Sequence, residues 1–381
     1  MDPVALLEKI VSINSVFPNE RRLGVFLERE LKKRGFRVRR VPLPGKGGRF
    51  NVVGERGTRG KPLLLFGHMD TVPVYGKWKG SPWKLRENKD NLHGLGAFDM
   101  KAGCAAILAA TEQKSERRIR VAFSADEENI SQGSHELAKA GVLRGIDAAL
   151  STEISTSEPC LGVNEITLGR RGRCVIEIIV PGRSAHGAEI EKGISAISEA
   201  GRLVLALEKM NGKLGTHPLL PPPTQFVRKI FGESTSLSIP ETAVLELDRH
   251  MVVPETPSSV LKQVQQFIAS LYKSGAFRQI DGKRITARLA VRLNPYLEPY
   301  VTPHSNPYVK LLSRIVHEET GKPPKFTYGR SVADDNRLAS AGVPVISIGP
   351  MGGGEHTCNE WVSKRSYLSL ARIVRTFISE I

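Results

Sequence analysis

The chain has 381 residues, 40% of them hydrophobic, and a formal net charge of +16; that length exceeds what one core usually takes, so two domains are expected. The longest apolar runs, LLLF and VPVISI, are far too short to span a bilayer, and the N-terminus MDPVALLEKI lacks the basic and apolar regions of a signal peptide. Cys104, Cys160, Cys174 and Cys358 form no CxxC pair and read as buried reduced thiols, so the expectation is a soluble, cytoplasmic protein with no membrane partner.

In chain order, LLEKIVSI and LGVFLERELKKRG have helical periodicity, with Gly35 as a C-cap. The basic run ERELKKRGFRVRRVPL mixes acids with bases on a helix and then alternates on a strand. It has no interleaved aromatics, and no zinc-finger, RNP or P-loop pattern accompanies it. It therefore reads as a solvated face rather than a nucleic-acid surface. FRVRRVPL, FNVVGE, PLLLFG, RIRVAFSA and IDAALST read as strands. MKAGCAAILAATEQ reads as a helix opening just after Asp99, and SHELAKAG as a shorter helix with Gly141 past its end. This alternation predicts an α/β fold with a mostly parallel sheet covered by helices.

Near Gly169 the character changes. GRRGRCVIEIIVPGRSAHG is a strand flanked by glycines, GISAISEAGRLVLALEKM a helix, and THPLLPPPTQ a proline-rich loop. TAVLELDRHMVV is a strand, TPSSVLKQVQQFIASLY a helix with Thr256 at the N-cap and Pro257 in its first turn, and RITARLAVRL a closing strand. After Pro295 come the helices SNPYVKLLSRIVHEETG and ADDNRLASAG, the strand VPVISIGP and the amphipathic helix SKRSYLSLARIVRTFISE. The expected organisation is a discontinuous catalytic-type domain, residues 1–168 and 294–381, interrupted by an α+β sandwich, residues 169–293, serving as a lid.

In an open parallel sheet, ligands sit beyond the carboxyl ends of the strands. PLLLFG ends in His68 and Asp70, RIRVAFSAD in Glu127 and Glu128, and IDAALST in Glu153; Asp99 opens a helix, and VPVISIGP runs into GGGEHT with His356. So many acids at one edge repel unless cations neutralise them. Imidazole and carboxylate without thiolate suit Zn²⁺, with Co²⁺ or Mn²⁺ as substitutes, and the ligand count suits two ions sharing a carboxylate. Each element alone has an ordinary reading: a capping HxD pair, a solvated EE, a satisfied loop histidine. Spacing alone leaves open whether they form one binuclear site.

The motifs GHMDTVP, GLGAFDMKAG, ADEEN, PGRSAHGAEIEKGISAI and GPMGGGEHT-NEWV, in this order, resemble the zinc peptidase and deacylase family of aminoacylase, succinyl-diaminopimelate desuccinylase, acetylornithine deacetylase and glutamate carboxypeptidase. The resemblance implies that His68 and Glu153 hold one zinc, that Glu128 and His356 hold the other, and that Asp99 bridges them. It implies that Asp70 fixes the tautomer of His68 and that Glu127 is the general base, taking a proton from the bridging water and passing it to the leaving nitrogen. His186 of SAH would donate to the tetrahedral oxyanion, reaching across a homodimer formed through the inserted domain. Arg249 of LDRH would grip a substrate carboxylate, the alternative being a structural ion pair. A cis Asp99–Met100 peptide is also implied.

Two departures bear on substrate. Where relatives carry N-V-I-P, this chain has Leu237-Ser238-Ile239-Pro240, so the Asn donor is missing or replaced by Ser236 or Ser238. GRSVADDNRL is closer to T-D-N-R than to G-T/S-D-A, with Asp335 and Asn336 as matches. The expected function is hydrolysis of an amide bond in an N-acyl-amino acid or short peptide, next to a free carboxylate. Within the class the alternatives are a metabolite-specific deacylase and a broad carboxypeptidase. Outside it stands a non-catalytic basic binding protein on the same scaffold.

Overall fold

The apolar run PLLLFGH becomes the centre of a large mixed sheet. The computed structural model describes residues 2–381 apart from 46, 156, 235, 279 and 281. It divides into two units: Met1–Arg170 with Val301–Gly329 and Ala333–Ile381, and Arg171–Tyr300 with Arg330–Val332.

In the first unit the sheet strands are β1 (Arg37–Pro42), β2 (Phe50–Arg56), β3 (Arg59–His68), β4 (Arg117–Ser124), β5 (Ala148–Ser151), β6 (Glu165–Arg170), β7 (Lys325–Gly329) and β8 (Val345–Ser347). Their order is β1-β2-β4-β3-β5-β8-β6, with β7 beside β6. β4, β3, β5 and β8 run parallel. Leu63, Leu64, Leu65 and Phe66 are buried, as a central parallel strand covered on both faces requires. The sheet is less parallel than predicted at its margins: β1 and β2 are antiparallel, as are β2 and β4, and β8 meets β6 antiparallel. The basic run explains itself here. β1 is an edge strand, and Arg37, Arg39 and Arg40 are exposed on it, where charge discourages pairing with another chain.

The helix expected to start at Met100 begins at Ala102, preceded by a wide turn over Ala97–Lys101 in which Asp99 and Met100 leave helical geometry. Every residue of Ala102–Ala110 is buried, which accounts for its run of small side chains. Gly103 is required there: a Cβ would lie 2.6 Å from the Thr152 carbonyl oxygen, so the helix approaches the end of β5 directly.

The second unit is an antiparallel four-stranded sheet in the order Thr224–Gly232, Thr242–Met251, Gly172–Pro181, Thr286–Leu289. Helices Ala196–Met210 and Pro257–Lys273 supply Leu203, Leu207, Val260 and Val264 to its core. The cap at Thr256 forms as expected, its side chain accepting from the Ser259 N–H at 3.2 Å. The strand Thr224–Gly232 went unpredicted because it is an edge strand whose inward–outward alternation is broken by a bulge between Val227 and Lys229. The first domain's second segment also starts later than residue 294. Tyr296 Oη donates to the Val175 and Ala290 carbonyls, and Arg173 N–H donates to the Leu297 carbonyl, which ties residues 296–297 to the inserted unit. Among the described residues no helix is long and apolar enough to cross a membrane.

Candidate active site

Four parallel strands end level with one another: His68 pairs with Ser124, and Ser151 with both Phe66 and Ser347. Their outgoing loops therefore leave from one edge. β3 delivers His68 and Asp70, β4 delivers Glu127 and Glu128, β5 delivers Glu153, and the loop after β8 delivers His356.

The side chains converge. His68 Nε2 is 3.1 Å from Asp99 Oδ1 and 3.7 Å from Glu153 Oε2. His356 Nε2 is 3.0 Å from Glu128 Oε2 and 3.5 Å from Asp99 Oδ2. Asp99 thus presents one oxygen to each histidine, and ligand atoms of His68, Asp99 and Glu128 all lie within 4.8 Å of one another. The Asp99–Met100 peptide is cis.

Asp70 divides its work differently from the expectation. His68 Nδ1 donates to the Asp70 backbone carbonyl at 3.1 Å, while the carboxylate lies 3.7 Å away and accepts the Glu128 N–H at 2.9 Å. The carbonyl therefore fixes a proton on Nδ1 and leaves Nε2 as the ring nitrogen directed at the carboxylates, where a proton or a cation can sit. The carboxylate instead holds the backbone that presents Glu128. Glu127 follows Asp126, a non-glycine residue at φ 74°, a conformation seldom adopted without a compensating anchor. The anchor is visible: Asp126 accepts from Arg49 at 2.7 Å and from the Gln132 N–H at 3.0 Å, and Arg49 in turn pairs with Glu20 at 2.6 Å. His356 also sits at positive φ, 58°. Gly352 lets its loop approach, since a Cβ there would lie 2.4 Å from the Phe98 ring.

Electrostatics describe a cluster short of positive charge. Burial opposes a charged His68, yet Asp99, Glu153 and Glu127 hold its imidazole well above the usual range. Bonds to Asp99 and Glu128 push His356 up to about 11. Burial, then the Asp99 charge, pushes Glu153 up to about 8; burial pushes Asp70 up to about 7 and raises Glu127 well above an ordinary carboxyl. Asp99 alone goes down, because bonds from His356 and His68 outweigh its burial. Protons here take the place that cations would fill. Asp70 Oδ1 and Glu128 Oε1 are buried with no hydrogen-bond partner among the described residues, a cost of about 1–3 kcal/mol each unless something else satisfies them. Oxygen and imidazole donors with unsatisfied lone pairs fit a divalent cation such as Zn²⁺. Cys104 Sγ bonds the His68 carbonyl at 3.0 Å instead of joining the set.

In the inserted unit, His186 pairs with Ser238 across a short antiparallel bridge and is exposed. Its Nδ1 accepts the Ala188 N–H at 3.1 Å, so in the neutral ring Nε2 carries the proton and is available to donate. Arg249 corrects an expectation. It is fully buried, ion-paired with Glu255 and hydrogen-bonded to Gln225 at 3.3 Å. Its guanidinium is committed to the unit's own interior and offers no open fork to a substrate carboxylate; the structural ion pair is the role it has here. Asp335 and Asn336 are likewise structural: Asp335 accepts from Arg170 at 3.2 Å and from Ser347 at 2.5 Å, and Asn336 Oδ1 accepts the Ala333 N–H at 3.0 Å.

Sequence reasoning missed Arg49 and Glu360. Nothing local marks Arg49 in GGRFNVV. Glu360 stood inside the NEWV motif without a role, although an acid two residues ahead of the buried Val362, where strand alternation puts it on the same face, was a usable signal.

A parallel sheet carrying histidines and carboxylates at its strand ends, with an α+β insertion, is an arrangement suited to holding divalent cations. Residues 64–380 match the pattern described as Peptidase family M20/M25/M40, and the chain belongs to that family. It is similar to carboxypeptidase G2 of Pseudomonas sp. (strain RS-16), 33% identical over 222 residues, 55% of this chain and 52% of that protein. The match thus spans about half the length of that relative. Among solved structures, aminopeptidase PepT from Bacillus cereus superposes with a TM-score of 0.77 at 19% identity, covering 99% of this chain and 97% of that one. An M20 family metallo-carboxypeptidase from Sulfolobus solfataricus superposes at 0.74 with 17% identity, covering 99% and 98%. At those identities the superpositions establish the fold.

Proposed function

We propose that this chain is a two-zinc amidohydrolase that cleaves an N-acyl or peptide bond beside a free carboxylate on its substrate. The observation that carries the reading is Asp99, with one carboxylate oxygen toward His68 and the other toward His356, the arrangement a bridging ligand needs. His68 and Glu153 would hold one ion, Glu128 and His356 the other. When bound, the pair of ions supplies positive charge to the scissile carbonyl and lowers the pKa of water; Co²⁺ or Mn²⁺ would substitute. Glu127 takes the proton of the attacking water and returns it to the leaving nitrogen, and burial of its carboxyl favours the protonated form it must pass through. Asp70 keeps the His68 ring in one tautomer. His186 donates from Nε2 to the oxyanion, a contribution of about 3–4 kcal/mol by analogy with other such donors.

Two of the similar proteins carry carboxypeptidase in their names, which favours a carboxypeptidase over a metabolite-specific deacylase. A hydrolysis screen of dipeptides, N-acetyl and N-succinyl amino acids, and their carboxamides, with Zn²⁺ or Co²⁺ present, tests this. Dipeptides and acylated amino acids with a free carboxylate should turn over and the carboxamides should not. Equal rates on the amidated substrates would overturn the carboxylate requirement, and no hydrolysis of any would overturn the reaction class.

We infer further that the chain is a homodimer joined through the inserted unit. The edge strand Thr224–Gly232 exposes Phe226, Ile230 and Phe231, each about half accessible, an apolar unpaired edge of the kind proteins otherwise blunt. A second copy pairing with it would complete each site with the partner's lid histidine. Mixing His186→Ala chains with Glu127→Gln chains should partly restore activity that each homodimer lacks. If tagged pull-down shows exchange and activity stays flat, His186 acts within its own chain or has no catalytic part.

A further inference from the structure

Glu360 lies four residues after His356, just ahead of the short strand Trp361–Ser363. Its side chain is 1% exposed, unusual for a carboxylate in a glycine-rich surface loop. The carboxylate meets three backbone N–H groups. Oε2 accepts from Gly96 at 2.7 Å, and Oε1 accepts from both Phe98 and Asp99 at 2.8 Å. All three belong to the turn that delivers Asp99. There φ and ψ of Asp99 are −108° and 99° and those of Met100 −126° and 39°, outside helical geometry. No regular helix ladder fixes the direction of Asp99, so the direction is left to whatever holds these N–H groups. The same loop is tied on by main chain: Gly94 N–H donates to the Glu360 carbonyl at 3.2 Å, and Trp361 pairs with His93. Burial pushes the Glu360 carboxyl up to about 8, and the three N–H bonds pull the other way. The buried Lys101 amine, which donates to the Ile13 carbonyl at 3.0 Å, is itself lowered to about 7 by burial, with the Glu360 charge working against that shift.

We propose that Glu360 is a positioning residue that sets Asp99 and His356 relative to each other, so that two metal ligands more than 250 residues apart in the chain are aligned by one carboxylate. It touches no reacting atom. It holds Asp99 by that residue's own N–H and carries His356 on its own loop, fixing the 3.5 Å approach of His356 Nε2 to Asp99 Oδ2. A glutamine in its place would fill the same volume. Its amide NH₂ would face backbone N–H groups on one side, donor against donor, and release one end of the turn. An aspartate would keep the carboxyl group but fall a methylene short of spanning both ends.

The inference rests on Asp99 and His356 being metal ligands, and the test separates the two ideas. Strip wild-type and Glu360→Gln proteins of metal, reload with Zn²⁺ against a chromophoric chelator, and record visible absorption after Co²⁺ loading. Wild type should take up metal. The variant should bind at least one ion about 10–100-fold more weakly, the usual consequence of removing an outer-shell partner, and its Co²⁺ bands should shift. Its metal-free form should melt within a few degrees of metal-free wild type. If Glu360→Gln does not fold, Glu360→Asp takes its place with the same readouts. A variant that binds both ions with wild-type affinity and an unchanged Co²⁺ spectrum overturns the proposal. So does one destabilised equally with and without metal. Wild-type protein that takes up no metal would overturn the metal site itself, a different failure.

Discussion

Glu127→Gln should retain its metal and lose turnover by at least the ~10²–10⁴-fold that a positioned base contributes, whereas Glu128→Gln should lose metal affinity first. The two residues are adjacent in sequence, but their surroundings assign them different work. The Glu128 carboxylate lies 3.0 Å from His356 Nε2, and its N–H is held by the Asp70 carboxylate at 2.9 Å. Glu127 has no ion pair with either histidine among the described residues, while burial raises its carboxyl well above the ordinary range. That is the condition of a group free to take up a proton and give it back. An amide at 127 keeps the size and loses the proton chemistry; an amide at 128 loses the charge facing a cation. Steady-state kinetics with metal analysis on both variants checks the assignment. If both bind two ions and hydrolyse normally, the roles are wrong. If both lose metal, Glu127 is a ligand and not the base.

What could be read from sequence follows from how strongly each feature is constrained by local chemistry. The parallel strands were legible because burial on both faces demands continuous apolar runs, as in PLLLFG. Their ends were legible because a buried run that stops at His, Asp or Glu has few reasons to do so. The strand Thr224–Gly232 was not legible, since its exposed Phe226, Ile230 and Phe231 mimic an irregular loop. Arg249 was misread for a related reason. LDRH places two charges side by side on a strand, and nothing local reveals that both are buried, Asp248 against Arg173 and Arg249 against Glu255. Arg173 lies on another strand, and Glu255, though only six residues past Arg249, folds back from beyond the end of the strand. Arg49 and Glu360 are distant in the full sense, since they hold Asp126 and the Asp99 N–H from 77 and 261 residues away. Residues placed by a local run could be located from sequence; those placed by contacts with other parts of the chain needed the fold.

Removing the metal should abolish activity, and the stability it supplies should grow as pH rises from ~5 to ~8. In the metal-free protein Glu153 is raised to about 8 from an ordinary 4.5, His356 to about 11 from 6.5, and His68 well above 6.5. Across that window the folded chain therefore binds more protons than the unfolded chain. Stability falls with rising pH wherever the folded state holds the extra protons. The advantage is complete below the unfolded values and is lost as pH climbs toward the folded ones. Asp99 has the opposite sign, but its lowered value places its effect on the acid side of the window. Bound cations replace those protons, so the loaded protein should not share the decline, and proton release on loading weakens metal binding at low pH. Half-exposed His356 contributes less than its shift suggests, because solvent screens it. The measurement is paired melting curves of chelated and Zn²⁺-loaded protein at several pH values, with activity recorded before and after chelation. The gap in Tm should widen toward pH 8. Full activity after exhaustive chelation would remove the metal from the mechanism. A gap that narrows with pH would show that the histidines and Glu153 do not share their protons with the metal site.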